Sequence, residues 1–195
     1  MMAAVALLAL VFAACRGSVG PDLDTLAGWQ ARPLAPDAQL AQHASQQEAC
    51  RSGQLDGVLV RVLLQDRRTE STAAFLVAGP GFTGSCLVSL QGGNAGGGST
   101  DVAPAPLMGA IVVDEQSSGT VGAGTGSLIG GRIAANLAAV RIELSSGLAV
   151  EASIGGGHWL AWWPGDATAL RITALDAGGS AVATLDDPTT WGQPR

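Results

Sequence analysis

The 195-residue sequence predicts an α+β fold: mostly antiparallel β, with eight or nine short strands and one N-terminal helix at about 37–51. Three observations lead there. Beyond Gly57 apolar residues recur with a period near two, in short runs bounded by Gly, Pro, Asp and Ser. No helical pattern alternates with those runs, so a βαβ parallel sheet is not expected. Residues 38–51, AQLAQHASQQEACR, hold good helix formers and no Gly or Pro.

The helix opens behind Pro36, with Asp37 placed to accept from free backbone N–H groups of the first turn, and Gly53 supplies a stop. Its apolar face is thin (Leu40, Ala41, Ala44 and Cys50, with His43 beside them), so firm docking needs a cross-link. Strands follow at VLVRVLLQ (58–65) and TAAFLVAG (72–79), flanking the polar connection DRRTES, and at SCLVSL (85–90), which carries Cys86. QGGNAGGGST (91–100) reads as a flexible loop and MGAIVVDE (108–115) as a fourth strand. A second Gly-rich tract, 119–131, holds at most a short strand at 127–129. Val140, Ile142 and Leu144 then alternate with Arg141, Glu143 and Ser145, and after Gly147 Val150, Ala152 and Ile154 alternate with Glu151 and Ser153. That is a hairpin with one apolar and one charged face. HWLAWW (158–163) is stopped by Pro164-Gly165, and residues 169–185 form a last hairpin around Asp176-Ala177-Gly178-Gly179.

The N-terminus sets the expected compartment. Residues 3–14 are an unbroken apolar run, too short for the roughly 20 residues that span a bilayer. The run fits the core of a signal peptide. Phe12-Ala13-Ala14-Cys15 resembles a bacterial lipobox, in which the chain is cut before a Cys that is then acylated; Phe12 replaces the usual Leu, and no basic residue precedes the run. An ordinary secretory signal, or the end of a membrane anchor whose start lies upstream, fits the same residues. The expected organisation is a signal peptide at 1–14, a tether at 15–35 with Trp29 packed down on the body, and a single β-rich domain at 36–195, whose one plausible sub-boundary is near 119–131. Of the three Cys, lipidation of Cys15 leaves Cys50 and Cys86 to form a disulfide in an oxidising compartment.

VRIELSSGLAVEASIGGGHWLAWWPGDATALRITALDAGG resembles the C-terminal part of uncharacterised extracytoplasmic proteins of actinobacteria, which carry an aromatic-rich Ala-Trp-Trp-Pro-Gly segment; Ala49-Cys50-Arg51 is also similar to theirs. The resemblance covers about a third of the chain well. It implies an envelope-facing protein and carries over no catalytic residue.

Few chemistries survive inspection. The net charge is −6 and the ten basic residues, all Arg, are scattered, so a nucleic-acid partner is not expected. The 119–131 tract misses the dinucleotide pattern, because Ser127 and Ile129 stand where its third Gly is needed. A P-loop needs a Lys, and there is none. His43 and His158 are far apart in sequence, with no metal-ligand spacing around them, so neither a metal nor a cofactor is expected. Asp114-Glu115 and Asp186-Asp187 are adjacent pairs, which a strand points to opposite faces. No nucleophile elbow appears.

The Trp segment remains. A regular strand puts Trp159, Ala161 and Trp163 on one face and His158, Leu160 and Trp162 on the other, so the rings do not form one flat platform. Core packing is the plain expectation; a partner surface at Trp159, Trp162, Trp163 and His158 is the functional one. The expected function is a non-catalytic, envelope-tethered binding or sensing module, held to the membrane by a lipid anchor and facing an envelope protein or glycan. The alternatives are a cell-wall carbohydrate-binding module using the Trp segment, or an enzyme of unfamiliar type.

Overall fold

The strand His158–Pro164 shows what the rest of the chain has to supply. Five of its residues, Trp159 to Trp163, are buried without interruption, so this strand needs an apolar layer on each side. The computed structural model, which describes residues 28–34, 50, 61–89, 94–99, 106–122 and 124–188, provides both.

The described strands are β1 (Arg61–Arg67), β2 (Thr72–Gly79), β3 (Phe82–Ser89), β4 (Asn94–Ser99), β5 (Ile111–Val121), β6 (Gly124–Ile133), β7 (Ala139–Leu144), β8 (Ala149–Glu151), β9 (Ser153–Gly155), β10 (His158–Pro164), β11 (Ala169–Leu175) and β12 (Ala181–Asp186). They form three antiparallel four-stranded sheets, ordered β1-β2-β3-β4, β5-β6-β10-β9 and β12-β11-β7-β8. The second sheet is the middle layer. Its Trp159, Ala161, Trp163, Ile129 and Ile133 pack with Val140, Ile142, Leu144, Val150 and Ile172 of the third sheet. Its Leu128, Leu160 and Trp162 pack with Ala74, Leu76 and Leu87 of the first. The other face of the first sheet buries Phe75, Val77 and Val88 around Cys50 and Cys86, which are joined by a disulfide across 36 residues. On the third sheet the outward face is polar, with Arg171 bridging Glu143 and Asp186.

Most of the described residues lie in strands and none forms a helix, so the fold is all-β and the expected α+β class is corrected. Apart from Cys50, the helix expected at 37–51 lies outside the described residues. The number of strands also exceeds eight or nine, reaching twelve among the described residues. Two of the additions come from glycine tracts read as loops. Residues 94–99 are β4, paired with β3, and the 119–131 tract is the end of β5 and most of β6, a hairpin inside the middle sheet. A third addition is a change of sheet: β8 pairs with β7 and β9 with β10, and the chain crosses layers at Ala152, whose N–H donates to Val140 O (2.9 Å).

Glycine is the right residue in β6 because its neighbours come too close for anything else. A Cβ on Gly131 would lie 2.0 Å from Val112 O and 2.9 Å from Asp114 N, under a bulge that shifts the β5 register between Val113 and Glu115. Backbone atoms on a paired strand cannot rotate away, unlike the tip of a side chain. Gly147 is the contrasting case, a turn glycine with φ +83° and open space around it.

Two measurements check this layer. Gly131→Ala is expected to cost at least about 3 kcal/mol or to prevent folding, whereas Gly147→Ala costs only about 1–2 kcal/mol for its left-handed backbone. Equal urea midpoints for the two variants would refute the close-approach argument. Reduction of the Cys50–Cys86 bond, read as mass with and without reductant, is expected to lower stability by about 4 kcal/mol on the chain-entropy view of a 36-residue loop; an unchanged denaturation midpoint counts against it.

Candidate functional site

Most residues singled out in the sequence have a definite place; His43 lies outside the described residues. Cys15 lies outside the described residues. Cys50 and Cys86 are the disulfide. Trp159, Trp162 and Trp163 are 0%, 0% and 1% exposed, so none offers a ring face to a ligand. Alternation splits them between the two cores, Trp159 and Trp163 toward the third sheet and Trp162 toward the first. Each indole N–H donates to a backbone carbonyl: Trp159 to Val112 (3.0 Å), Trp162 to Asp66 (3.1 Å) and Trp163 to Ala167 (2.7 Å). A buried indole contributes roughly 200 Å² of apolar burial, on the order of 5 kcal/mol gross, provided its N–H is satisfied. The segment read as a candidate surface is thus scaffold, and a glycan cannot stack on it. His158, half-buried, places Nδ1 3.0 Å from Gly156 O within its own turn. It joins no group of metal-ligating side chains among the described residues.

The sequence reading missed a buried ion pair. Asp66 and Arg68, assigned to a polar connection, are both 0% exposed. Arg68 Nη2 lies 2.8 Å from Asp66 Oδ2, and its Nε donates to the same oxygen (3.1 Å). Nη1 donates to Gln30 O (3.3 Å) and Ala31 O (2.6 Å), and Nη2 also donates to Glu151 O. One guanidinium therefore ties residues 30–31, the first sheet and the β8 end together. Backbone bonds reinforce this strap: Gln30 N to Arg68 O, Leu34 N to Arg67 O and Glu151 N to Ala31 O. Trp29 packs against both inner cores with its ring 6.0 Å from the Arg68 guanidinium carbon. Spacing held a signal for the pair, since residues two apart on an extended chain share a face.

Burial is the largest influence on Asp66 and pushes its pKa up to about 6; Arg68, and to a lesser degree Ser153, pull the other way.

The groove with the most chemistry lies elsewhere, along β5. About 460 Å³ in volume, it is lined by the six consecutive residues Val113 to Ser118, by Ser127, by Asp166, Ala167 and Thr168, and by Pro188. The bulge that Gly131 accommodates turns Asp114 outward, where Arg132 holds it through two bonds, Nε to Oδ2 (2.7 Å) and Nη2 to Oδ1 (2.6 Å). Glu115 accepts from the Ser85 hydroxyl of the first sheet. Ser127 Oγ donates to Gly165 O (2.8 Å), seating the 165–168 turn against the sheet. Asp187 stands at φ +49°, donates its N–H to Leu170 O (2.8 Å) and delivers Pro188 to the groove wall. Carboxylates and hydroxyls on held backbone can attract a cation and accept hydrogen bonds; among the described residues no aromatic ring lines the groove. The signal available in the sequence was the doublet Asp114-Glu115, but only the bulge makes both members groove residues.

No protein family, no curated protein and no solved structure matches the chain.

The raised pKa of Asp66 fixes a sign. The folded state binds the proton more tightly than the unfolded chain between about 3.8 and about 6, so the contribution of Asp66 to stability falls as pH rises through that window. The stability difference between the wild type and Asp66→Asn is expected to move against the wild type from pH 4 to pH 7, by on the order of 3 kcal/mol. A difference that moves the other way in urea titrations would show that the ion pair outweighs burial.

Proposed function

We propose that the chain is a non-catalytic binding module of the cell envelope that engages its ligand at the β5 groove. The groove carries the reading: it is concave, polar and built on paired strands, and two of its three carboxylates, Asp114 and Glu115, are already committed to Arg132 and to Ser85, which suits recognition better than bond-making. The Cys50–Cys86 disulfide is consistent with an oxidising, extracytoplasmic compartment. Attachment through a lipid on Cys15 belongs to the same proposal, as does kinship with the actinobacterial proteins that share the Ala-Trp-Trp-Pro-Gly segment. A strap bonded to the body at residues 30–34 suits a chain that leaves directly for an anchor.

Two measurements test the proposal. Cys15→Ser, or inhibition of lipoprotein signal cleavage by globomycin, is expected to leave the precursor uncut and to change membrane association in a native-like host; identical processing with and without the change removes the lipid anchor from the reading. The purified body is expected to be retained by isolated envelope fractions and released on reversal of the groove charge, Asp166→Lys. Retention that ignores this substitution places the binding elsewhere.

A further inference from the structure

Among the described residues the three sheets have six outer strands, and five of these meet a further element. β4 and β5 lie against one another, β9 lies against β1, and residues 30–34 bond to the chain at the ends of β1 and β8. β12 is the sixth. It pairs with β11 on one side, no other described strand pairs with it, and Ala181, Val182, Thr184 and Asp186 are exposed. The bond from Asp187 N to Leu170 O (2.8 Å) sets the phase of the β11–β12 ladder. Leu185 exchanges bonds with Ile172, so the N–H and C=O groups of Thr184 and Asp186 point away from β11, to the open side. No Lys or Pro blunts this edge between Ala181 and Asp186. At its start stands the turn Leu107–Ala110, closed by the bond from Ala110 N to Leu107 O (3.0 Å); a Cβ on Gly109 would lie 3.4 Å from Val182 Cγ1. Leu107, Met108 and Val182 are 84%, 87% and 44% exposed, and they are three of the five large apolar side chains left in water among the described residues. An open backbone edge and an apolar patch thus lie side by side.

We propose that the edge of β12 joins the same edge of a second copy, antiparallel about a two-fold axis at Thr184, so that two third sheets become one sheet of eight strands. An antiparallel edge presents donors and acceptors in an order that its own two-fold image matches. With the axis at Thr184, the two Thr184 residues exchange both backbone bonds, and Ala183 of each copy lies opposite Leu185 of the other. The one charged side chain of β12 is Asp186, and Arg171 Nε of its own copy holds it at 2.7 Å. Each Asp186 lies opposite Val182 of the other copy, about 13 Å along the strand from the second Asp186, so like charges do not meet across the axis. Leu107, Met108 and Val182 flank the joint and lose exposure in it. Because β12 is the one outer strand left open among those described, pairing closes at two copies and does not grow into a fibre.

The test uses the full, disulfide-intact chain over a range of concentrations. Analytical ultracentrifugation is expected to show twice the monomer mass as concentration rises, and amide hydrogen exchange at Thr184 and Asp186 is expected to slow in step with it. Thr184→Pro removes a donor that β11 does not use, so the fold stands, and dimerisation is expected to weaken about tenfold or more because the two-fold loses two bonds at once. Thr184→Lys keeps the donor and sets like charges at the axis, with the same expected direction. Leu148→Ser, in the turn between β7 and β8, is expected to leave dimerisation unchanged. The inference is overturned by a chain that stays monomeric up to about 1 mM, by dimers that ignore both Thr184 variants, by slowed exchange away from β12, or by open-ended assemblies. A monomeric chain whose Thr184 and Asp186 amides slow only when envelope extract is added assigns the edge to another protein's strand, and overturns the dimer as well.

Discussion

The need to bury one strand on both faces organises this protein. β10 carries three indoles that cannot share a face, so a single apolar layer would leave either Trp162 or the Trp159–Trp163 pair in water. At the roughly 200 Å² that an indole buries, such exposure would forfeit stabilisation comparable to the net stability of a whole domain. Three layers follow from this, with the β10 sheet in the middle. β6, the partner of β10 along its full length, is fitted to it as well: a Cβ on Gly130 would lie 3.0 Å from Leu160 Cδ1 and 3.1 Å from Trp159 O.

That bulge links packing to the candidate site. It uses one extra residue, Asp114, to turn a carboxylate out of the sheet, and it depends on Gly131 below it. Arg132, the next residue of β6, fixes the carboxylate that the bulge exposes. A core requirement and a groove residue are thus two sides of one backbone irregularity. The indole N–H of Trp159, bonded to Val112 O, secures the same stretch from the interior.

Legibility in the sequence followed the number of neighbours on which an element depends. The alternation of 138–154 and 169–185 was readable because the third sheet has one apolar and one solvated face, and that asymmetry is written in the residues themselves. The division of the Trp rings between faces was readable for the same reason. Their burial was not, because it depends on Leu76 and Leu87, strands away in sequence. Glycine tracts look like loops by propensity; in β6 the glycine at 131 is required by what approaches it, information held by Val112 and its carbonyl and not by the glycine. Asp66 and Arg68 looked like turn residues because charge usually marks solvent. The carbonyls of Gln30, Ala31 and Glu151 that satisfy the guanidinium cannot be seen in a neighbouring sequence window. The groove was the least legible feature, since it arises from a bulge, a turn and the end of a distant strand.

The strap at residues 29–34 also decides how the body bears mechanical load. Tension applied through the chain preceding Trp29 would arrive first at Gln30 and Ala31, whose carbonyls are held by the Arg68 guanidinium and whose backbone is bonded to Arg68, just past β1, and to Glu151 at the end of β8. A pull there is shared between the ends of β1 and β8, edge strands of the first and third sheets. Because the anchoring guanidinium is dry and all its donors are occupied, rupture would have to break several bonds together and hydrate a buried charge. Such a junction would give way in one step and not bond by bond.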